Sequence, residues 1–333
     1  MPNIAVLSTA HIHTKGFLDN LAKGADGRKA YAIWDDVADR GRRYASQYNA
    51  RFERRLGKLL RDKSVDGFLI CAENTRHWRL LRKALPAGKP VMCEKPLCTT
   101  VREARKVAAL LAKHPAKLFC GYYLPFSGPM QAVRQMLAGN AFGAVTRVRF
   151  RNAHHAAYGR WFDNPDLQWF ANPSLSGGGA LMDMGTHAVH LLRTLLGPVT
   201  EVWATLGNQS GIYPAVDDFG IAHLRFASGV LGTVEAAWTQ TGGIGGLEVV
   251  GPDKALWNTG KDYVIGAPKQ EPTPLASLPA RPVSVDRLVA TILGQVSDEE
   301  LAGDLSAILD SVAILEAAYA SGRCGKWVKV KSL

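Results

Sequence analysis

Short apolar runs separated by amphipathic stretches set the rhythm of the chain as far as residue 120. Asn3–Ser8 (NIAVLS), Ala30–Trp34 (AYAIW), Gly67–Cys71 (GFLIC), Pro90–Cys93 (PVMC) and Lys117–Tyr122 (KLFCGY) read as buried strands. Between them His11–Leu21, Ala38–Tyr48, Glu53–Lys63, His77–Leu85 and Thr100–Lys113 read as helices, with Thr99 or Thr100 placed to cap the last. Strand–helix alternation of this kind predicts a doubly wound parallel sheet covered on both faces, an α/β domain over residues 1–120.

From residue 121 the pattern changes. Met130–Leu137 has helical spacing, and Val145–Asn152 (VTRVRFRN) alternates as a half-buried strand does. An irregular aromatic segment, His154–Pro173, follows. Val199–Leu206, Phe219–Ala227, Val230–Thr239 and Gly246–Val250 are short, glycine-punctuated and mostly alternating, which suggests an antiparallel or mixed sheet. Lys261–Pro282 reads as a loop, Val283–Leu293 and Leu301–Ala320 as helices, and Lys326–Val330 as a last strand. Residues 121–333 are therefore expected to form a second domain.

One stretch of that half stands apart: Ser176–Gly197, SGGGALMDMGTHAVHLLRTLLG. After three glycines it reads as one helix, with Met184, Ala188, Leu191, Leu192 and Leu195 on an apolar stripe. Asp183, His187 and His190 fall at i, i+4 and i+7, on one other face. A carboxylate and an imidazole one turn apart can share a proton or fix each other's orientation. Ordinary solvent exposure also produces a polar face.

Chemistry-bearing residues recur at the strand ends of the first half. Ser8-Thr9-Ala10-His11-Ile12-His13 stands where a dinucleotide-binding sheet places its phosphate loop, with Ser8, Ala10 and His13 at the glycine positions of GxGxxG. Ser8 and Ala10 are small enough for close approach; His13 has to pack elsewhere or contact a cofactor. Asp35, ending the second strand, stands where an acid binds the adenosine ribose and favours NAD. Acids are also common turn residues, and nearby Arg40, Arg42 and Arg43 leave NADP possible. Lys95, in Cys93-Glu94-Lys95-Pro96-Leu97, follows the fourth strand and faces either a ligand crevice or solvent. Tyr122 and Tyr123, just past the sheet, are candidates for a cofactor–substrate junction.

Composition narrows the class. The chain has 333 residues, 47% hydrophobic and 21% charged, with no run of about 20 apolar residues for a membrane span and no signal-peptide pattern. Five cysteines without a CxxC pair point to a reducing cytoplasm. The net charge of +11 is concentrated on two helical segments without interleaved aromatics, so no nucleic-acid partner is expected.

Glu94-Lys95-Pro96, together with Gly177-Gly178-Gly179…Asp183-x-Gly185-x-His187, resembles the Gfo/Idh/MocA oxidoreductases. The similarity runs nearly end to end. It takes in Glu73-Asn74-Thr75-Arg76-His77 after the third strand, Ala87-Gly88-Lys89-Pro90-Val91, Asn140-Ala141-Phe142-Gly143, Trp169 and Ala317-Ala318-Tyr319-Ala320-Ser321. The resemblance implies an N-terminal Rossmann domain and a C-terminal α/β domain with a large, mostly antiparallel open sheet. It further implies hydride transfer between a sugar or polyol carbinol carbon and a nicotinamide cofactor, NAD by preference.

Carried onto this chain, the resemblance makes Lys95, Asp183 and His187 the catalytic set. His187 would exchange the hydroxyl proton, Lys95 would stabilise charge on the same oxygen, and Asp183 would orient His187. Ser8–His13, Asp35, Glu73, Asn74, His77, Glu94, Lys95, Pro96 and Tyr122 would contact the cofactor. Tyr123, His154, Tyr158, Arg160 and Trp161, with Asp183 and His187, would line the substrate site; the aromatic segment could instead pack on itself. The chain departs from the family pattern at the glycine-poor loop, at Leu124-Pro125 in place of an arginine, and at His190 in place of an aspartate. The last change makes a carboxylate and two imidazoles, but no metal is expected there. The open sheet implies a homodimer or homotetramer. Two further readings stay open: transient oxidation serving elimination or glycoside cleavage, and a catalytically silent cofactor-binding sensor.

Overall fold

A computed structural model describes residues 1–333. The chain divides into two compact units. The first comprises residues 1–122, 165–169 and 282–308; the second comprises 123–164, 170–281 and 309–333.

The first unit is built on six parallel strands: β1 (Asn3–Leu7), β2 (Lys29–Trp34), β3 (Arg51–Phe52), β4 (Gly67–Ile70), β5 (Val91–Cys93) and β6 (Leu118–Cys120). Their order, β3-β2-β1-β4-β5-β6, reverses direction between β1 and β4, the switch point where doubly wound sheets open a ligand crevice. The connecting helices are α1 (Thr14–Lys23), α2 (Ala38–Gln47), α3 (Leu56–Leu60), α4 (His77–Ala84) and α5 (Val101–Lys113). Strand β4 is buried at every residue, because helices cover both faces. Thr100 caps α5 by accepting from Glu103 N.

The segment Glu53–Lys63 departs from its helical reading. Its helix shrinks to Leu56–Leu60, and Arg51–Phe52, just ahead of it, pairs with Ala32 and Ile33 as an edge strand. Two residues are too short to show alternation, so no sequence period marked this strand. The core comprises Ile4, Val6, Leu18, Leu21, Ile33, Leu69, Met92 and Phe119, and is joined by Val285 and Leu288 of a later helix, α9 (Ser284–Ile292).

The second unit carries nine strands in the order β14-β13-β12-β11-β7-β10-β9-β8-β15. They are β7 (Arg147–Ala153), β8 (Val199–Gly207), β9 (Phe219–Phe226), β10 (Leu231–Ala237), β11 (Gly246–Val250), β12 (Ala255–Asn258), β13 (Tyr263–Gly266), β14 (Thr273–Pro274) and β15 (Val328–Lys329). All neighbours are antiparallel except β7 and β10, which run parallel at the centre. The loop expected over Lys261–Pro282 holds β13 and β14 instead. Tyr263–Gly266 pairs with β12, and its partly buried residues give no alternation to read.

Helices α6 (Gly128–Ala138), α7 (Pro173–Ser176) and α8 (Thr186–Leu196) belong to this unit, as does the later part of α10 (Asp298–Cys324). Leu191, Leu192, Ile314 and Leu315 pack with Val148, Leu224 and Val234 in its core. No helix is long and apolar enough to cross a membrane.

Candidate functional site

In the first unit the residues expected to meet a cofactor gather where the strands end. Ser8 turns the chain out of β1 in a left-handed conformation, φ 69°, and donates its N–H to Trp34 O at 2.7 Å. Thr9 donates its N–H and its hydroxyl to Asp35 Oδ2, at 2.7 and 2.6 Å. Arg40 grips the same carboxylate through Nε (3.0 Å to Oδ2) and Nη2 (2.8 Å to Oδ1), and Val37 N adds a bond of 2.8 Å. Burial works against ionisation of Asp35, but Arg40 and these donors hold its carboxyl below the usual range. Asp35 therefore faces inward and ties the loop after β1 to β2 and α2.

The next residue, Asp36, faces a small cavity of about 140 Å³ lined also by Ser8, Trp34, Ala72, Arg79 and Lys83. Arg76 reaches Asp36 Oδ2 at 2.5 Å and Glu73 Oε1 at 3.1 Å. Of the other nearby arginines, Arg42 pairs with Asp39 and Arg43 with Asp166.

After β4, Glu73 and Asn74 are buried, and burial pushes the Glu73 carboxyl up. His77 is fully buried, with Nδ1 2.8 Å from Pro96 O and Nε2 3.0 Å from Ala72 O. It thus pins the loop after β4 to the turn after β5. That turn contains Glu94, 0% exposed, and Lys95, 3% exposed, before a cis bond to Pro96. Glu94 accepts from Lys95 N at 2.9 Å and lies 3.2 Å from His13 Nδ1 and 4.0 Å from His11 Nε2. Burial opposes its charge, yet His11, His13 and Lys95 hold its carboxyl far below the ordinary value. Gly121 is the residue against which this carboxylate packs; a Cβ there would sit 3.1 Å from it. Tyr122 is buried, Ile12 exposed, and Ala10 accepts at its carbonyl from Trp169 Nε1 at 3.0 Å.

In the second unit the Ser176–Gly197 stretch is not one α-helix. Gly177, at φ 77°, ends α7, a π-helical turn spans Leu181–Gly185, and α8 begins only at Thr186. Wider π turns occur often at functional sites because they re-aim side chains out of α register. Asp183 lies in this turn and His187 in the first turn of α8. Both are buried, at 8% and 4% exposure, and His190 is at 0%. The solvated polar face is thereby excluded: these polar groups are inside the unit. Trp238 Nε1 donates to Asp183 Oδ2 at 2.9 Å, and the Tyr123 and His187 rings lie 5.1 Å apart.

The glycine triplet is held by Asp217 and Tyr319. Asp217 accepts from Gly179 N and Leu181 N, both at 2.8 Å, and from the Tyr319 hydroxyl at 2.8 Å. The same hydroxyl accepts from Met182 N at 3.1 Å. A Cβ on Gly179 would fall on the Asp217 backbone carbonyl, so this position admits only glycine. Burial pushes the Asp217 carboxyl up despite these donors.

The aromatic segment packs largely on itself. Phe162 stacks on Phe170 at 4.8 Å and meets Trp238 edge-on at 4.7 Å; Trp161 lies 4.8 Å from His154. Arg160 is exposed and donates to Asp163 at 2.8 Å, while Tyr158 is 51% exposed. Sequence reasoning missed Trp238 and Asp217, and used Tyr319 only as part of a familiar helix end. Trp238 sat inside a strand reading, and nothing local marks an acid that caps a turn nearly forty residues away.

Two family models match the chain: residues 3–122 match an oxidoreductase family with an NAD-binding Rossmann fold, GFO_IDH_MocA, and residues 130–256 match a GFO/IDH/MocA C-terminal domain. Among characterised relatives, 1,5-anhydro-D-fructose reductase of Ensifer adhaerens is 27% identical over 70% of this chain and 68% of its own length. Inositol 2-dehydrogenase 2 of Paenarthrobacter aurescens is 28% identical over 65% of this chain and 63% of its own, just under two thirds. An inositol dehydrogenase homologue from Azotobacter vinelandii, solved with NAD+, superposes with a TM-score of 0.82 at 21% identity, covering 99% of this chain and 97% of that one.

Proposed function

The chain belongs to the Gfo/Idh/MocA oxidoreductase family, and we propose that it transfers a hydride between a hydroxyl-bearing carbon of a sugar or polyol and nicotinamide. The observation that carries this reading is the buried pair Asp183 and His187, with Trp238 holding the carboxylate and Tyr123 beside the imidazole. Such groups, kept from water on a rigid turn, suit proton exchange with a bound hydroxyl. His187 exchanges the hydroxyl proton, Asp183 orients it, and the Lys95 ammonium stabilises negative charge on the reacting oxygen. Nicotinamide, when bound, supplies the hydride chemistry itself.

The first unit's residues fit a dinucleotide. Its strand order has the β1/β4 switch point, and the cavity beside Ser8 and Trp34 offers Asp36 for ribose hydroxyls. NAD is the preferred cofactor, because Asp36 would repel a 2′-phosphate and Arg40, Arg42 and Arg43 are paired with acids. Arg79 and Lys83 line the same cavity, so NADP is the second cofactor to test. A homodimer or homotetramer through the open nine-stranded sheet, and a cytoplasmic location, complete the reading.

A panel of sugars and polyols with each cofactor, followed by nicotinamide absorbance and by chromatography of products, tests it. Turnover of a polyol with cofactor reduction is expected. Absence of both absorbance change and product across the panel would favour a cofactor-binding sensor, the reading that the glycine-poor Ser8–His13 loop supports.

A further inference from the structure

Among the residues not assigned to proton transfer, one cluster has the make-up of a cation site. His11 and His13 stand two apart in the loop after β1, and Glu94 follows β5. One ligand-competent atom from each lies within 4.8 Å of the other two. His13 Nδ1 is 3.2 Å from Glu94 Oε1, and His11 Nε2 is 4.0 Å from Glu94 Oε2. Ligands held tetrahedrally about 2.0–2.1 Å from a single ion are about 3.4 Å apart. The two Glu94 contacts bracket that spacing, and the widest separation in the cluster, at most 4.8 Å, closes on an ion by side-chain rotation.

Burial points the same way. The side chains of His11 and Glu94 are 1% and 0% exposed, and that of His13 is 44% exposed. Two ligands are sealed from water while the third leaves an entry path and room for further ligands. Glu94 is a fully buried, charged acceptor beside two imidazoles, and a dication would add a full opposite charge to the partners it already has. The ring environment is compatible as well: the His11 and His13 rings lie 4.6 Å apart at 64°, so both can turn an edge toward one point.

We propose that His11, His13 and Glu94 bind one divalent first-row transition ion of the Zn²⁺ class, with its remaining positions open to water or an anionic ligand. Two imidazoles and one carboxylate select such an ion over Mg²⁺ or Ca²⁺, which prefer all-oxygen sets. His13 N donates to His11 Nδ1 at 3.3 Å, which leaves Nε2, on the Glu94 side, as the ligating nitrogen of His11. On the hydride-transfer reading, the ion also supplies positive charge at the start of α1, where the loop lacks glycines to cradle a diphosphate.

The test uses full-length protein freed of metal with a chelator and titrated calorimetrically with Zn²⁺ and, separately, Mg²⁺, without cofactor or substrate. One Zn²⁺ per chain is expected, with a micromolar or tighter dissociation constant and no comparable Mg²⁺ binding. His13→Ala and Glu94→Gln should each weaken Zn²⁺ by about 10-fold or more. His13 is half exposed, so its truncation leaves the core intact even where Glu94→Gln does not fold. No stoichiometric Zn²⁺ uptake by the wild type, or uptake unchanged in His13→Ala, overturns the proposal. Because cofactor and substrate are omitted, failure here leaves the hydride-transfer reading standing, and a protein inactive on every polyol still reports on the metal.

Discussion

The Trp238 indole donates to the Asp183 carboxylate at 2.9 Å, from a side chain with no solvent exposure at all. The residue that fixes the proposed acid thus comes from just beyond strand β10, not from the helix that carries His187. A hydrogen bond to a charged group is worth about 1.5–3 kcal/mol. Trp238→Phe should therefore lower kcat by about 10-fold or more with little change in KM. Unchanged kcat would remove Trp238 from the site.

His187→Ala and Lys95→Ala should each reduce kcat by about 10²-fold or more, as removal of a proton-transfer partner or of a charge that stabilises the reacting oxygen does. Cofactor binding, measured by fluorescence titration, should survive His187→Ala. Normal turnover in both variants on the true substrate would show that the roles are misassigned.

Gly179 and Gly178 give a matched pair for stability. At Gly179 a methyl group meets the Asp217 backbone, whereas at Gly178 it meets the tip of the Tyr319 side chain. Gly179→Ala should cost about 3 kcal/mol or more, as overpacking and strain do, and lower Tm by roughly 6–12 °C. Gly178→Ala should cost less, because it displaces a side-chain tip rather than backbone, the cost being the Tyr319 hydroxyl's bonds to Asp217 and Met182 N. Equal melting temperatures in the two variants would contradict the clamp described above.

Folded Asp35 releases its proton at lower pH than the unfolded chain does, because Arg40 outweighs its burial. Its contribution to stability is complete above the unfolded value of about 3.9 and is lost as pH falls through the depressed folded value. Asp35→Asn should lower stability at neutral pH and flatten this acid loss in thermal melts. Arg40→Ala leaves the buried carboxylate uncompensated and should cost about 3–5 kcal/mol. A variant Asp35→Asn with the full acid loss of the wild type would place the titration elsewhere.

Asp36, facing the cavity, sets the expected cofactor choice. Asp36→Ala should weaken NAD by about 10-fold, the loss of one charge-assisted hydrogen bond, and weaken NADP less or improve it. Equal weakening of both cofactors would sink the ribose assignment, and an effect confined to Asp35→Ala would return it to Asp35.

Much of the fold was legible because long periodic segments declare themselves: β1, β2, β4, β5 and β6 coincide with the apolar runs read from sequence. Two-residue β3, which falls between two helical readings, and β13 with its evenly half-buried side chains, inside the loop reading, carry no period. The site residues Asp183 and His187 were visible as a motif, but their geometry was not. An α-helix was the natural reading of that spacing, while Asp217 and Tyr319, distant in sequence, hold the backbone there in a π turn. Asp35 was legible as an acid after a strand; that Arg40 and Thr9 turn it inward depends on contacts no local pattern encodes.

Helix α9 has a consequence for how the protein is made. Val285 and Leu288 complete the apolar core around Met92 and Phe119, and Arg287 lies over the Phe119 ring at 4.9 Å while pairing with Asp304 and Glu300. On the ribosome, the first sheet emerges long before the helix that seals it. Through the synthesis of everything between, the nascent chain must carry an unsealed apolar face, a natural place for a chaperone to hold on. A fragment cut after residue 122 keeps that face bare for good, so the dinucleotide-type sheet of this protein is not a module that can be excised at its apparent boundary.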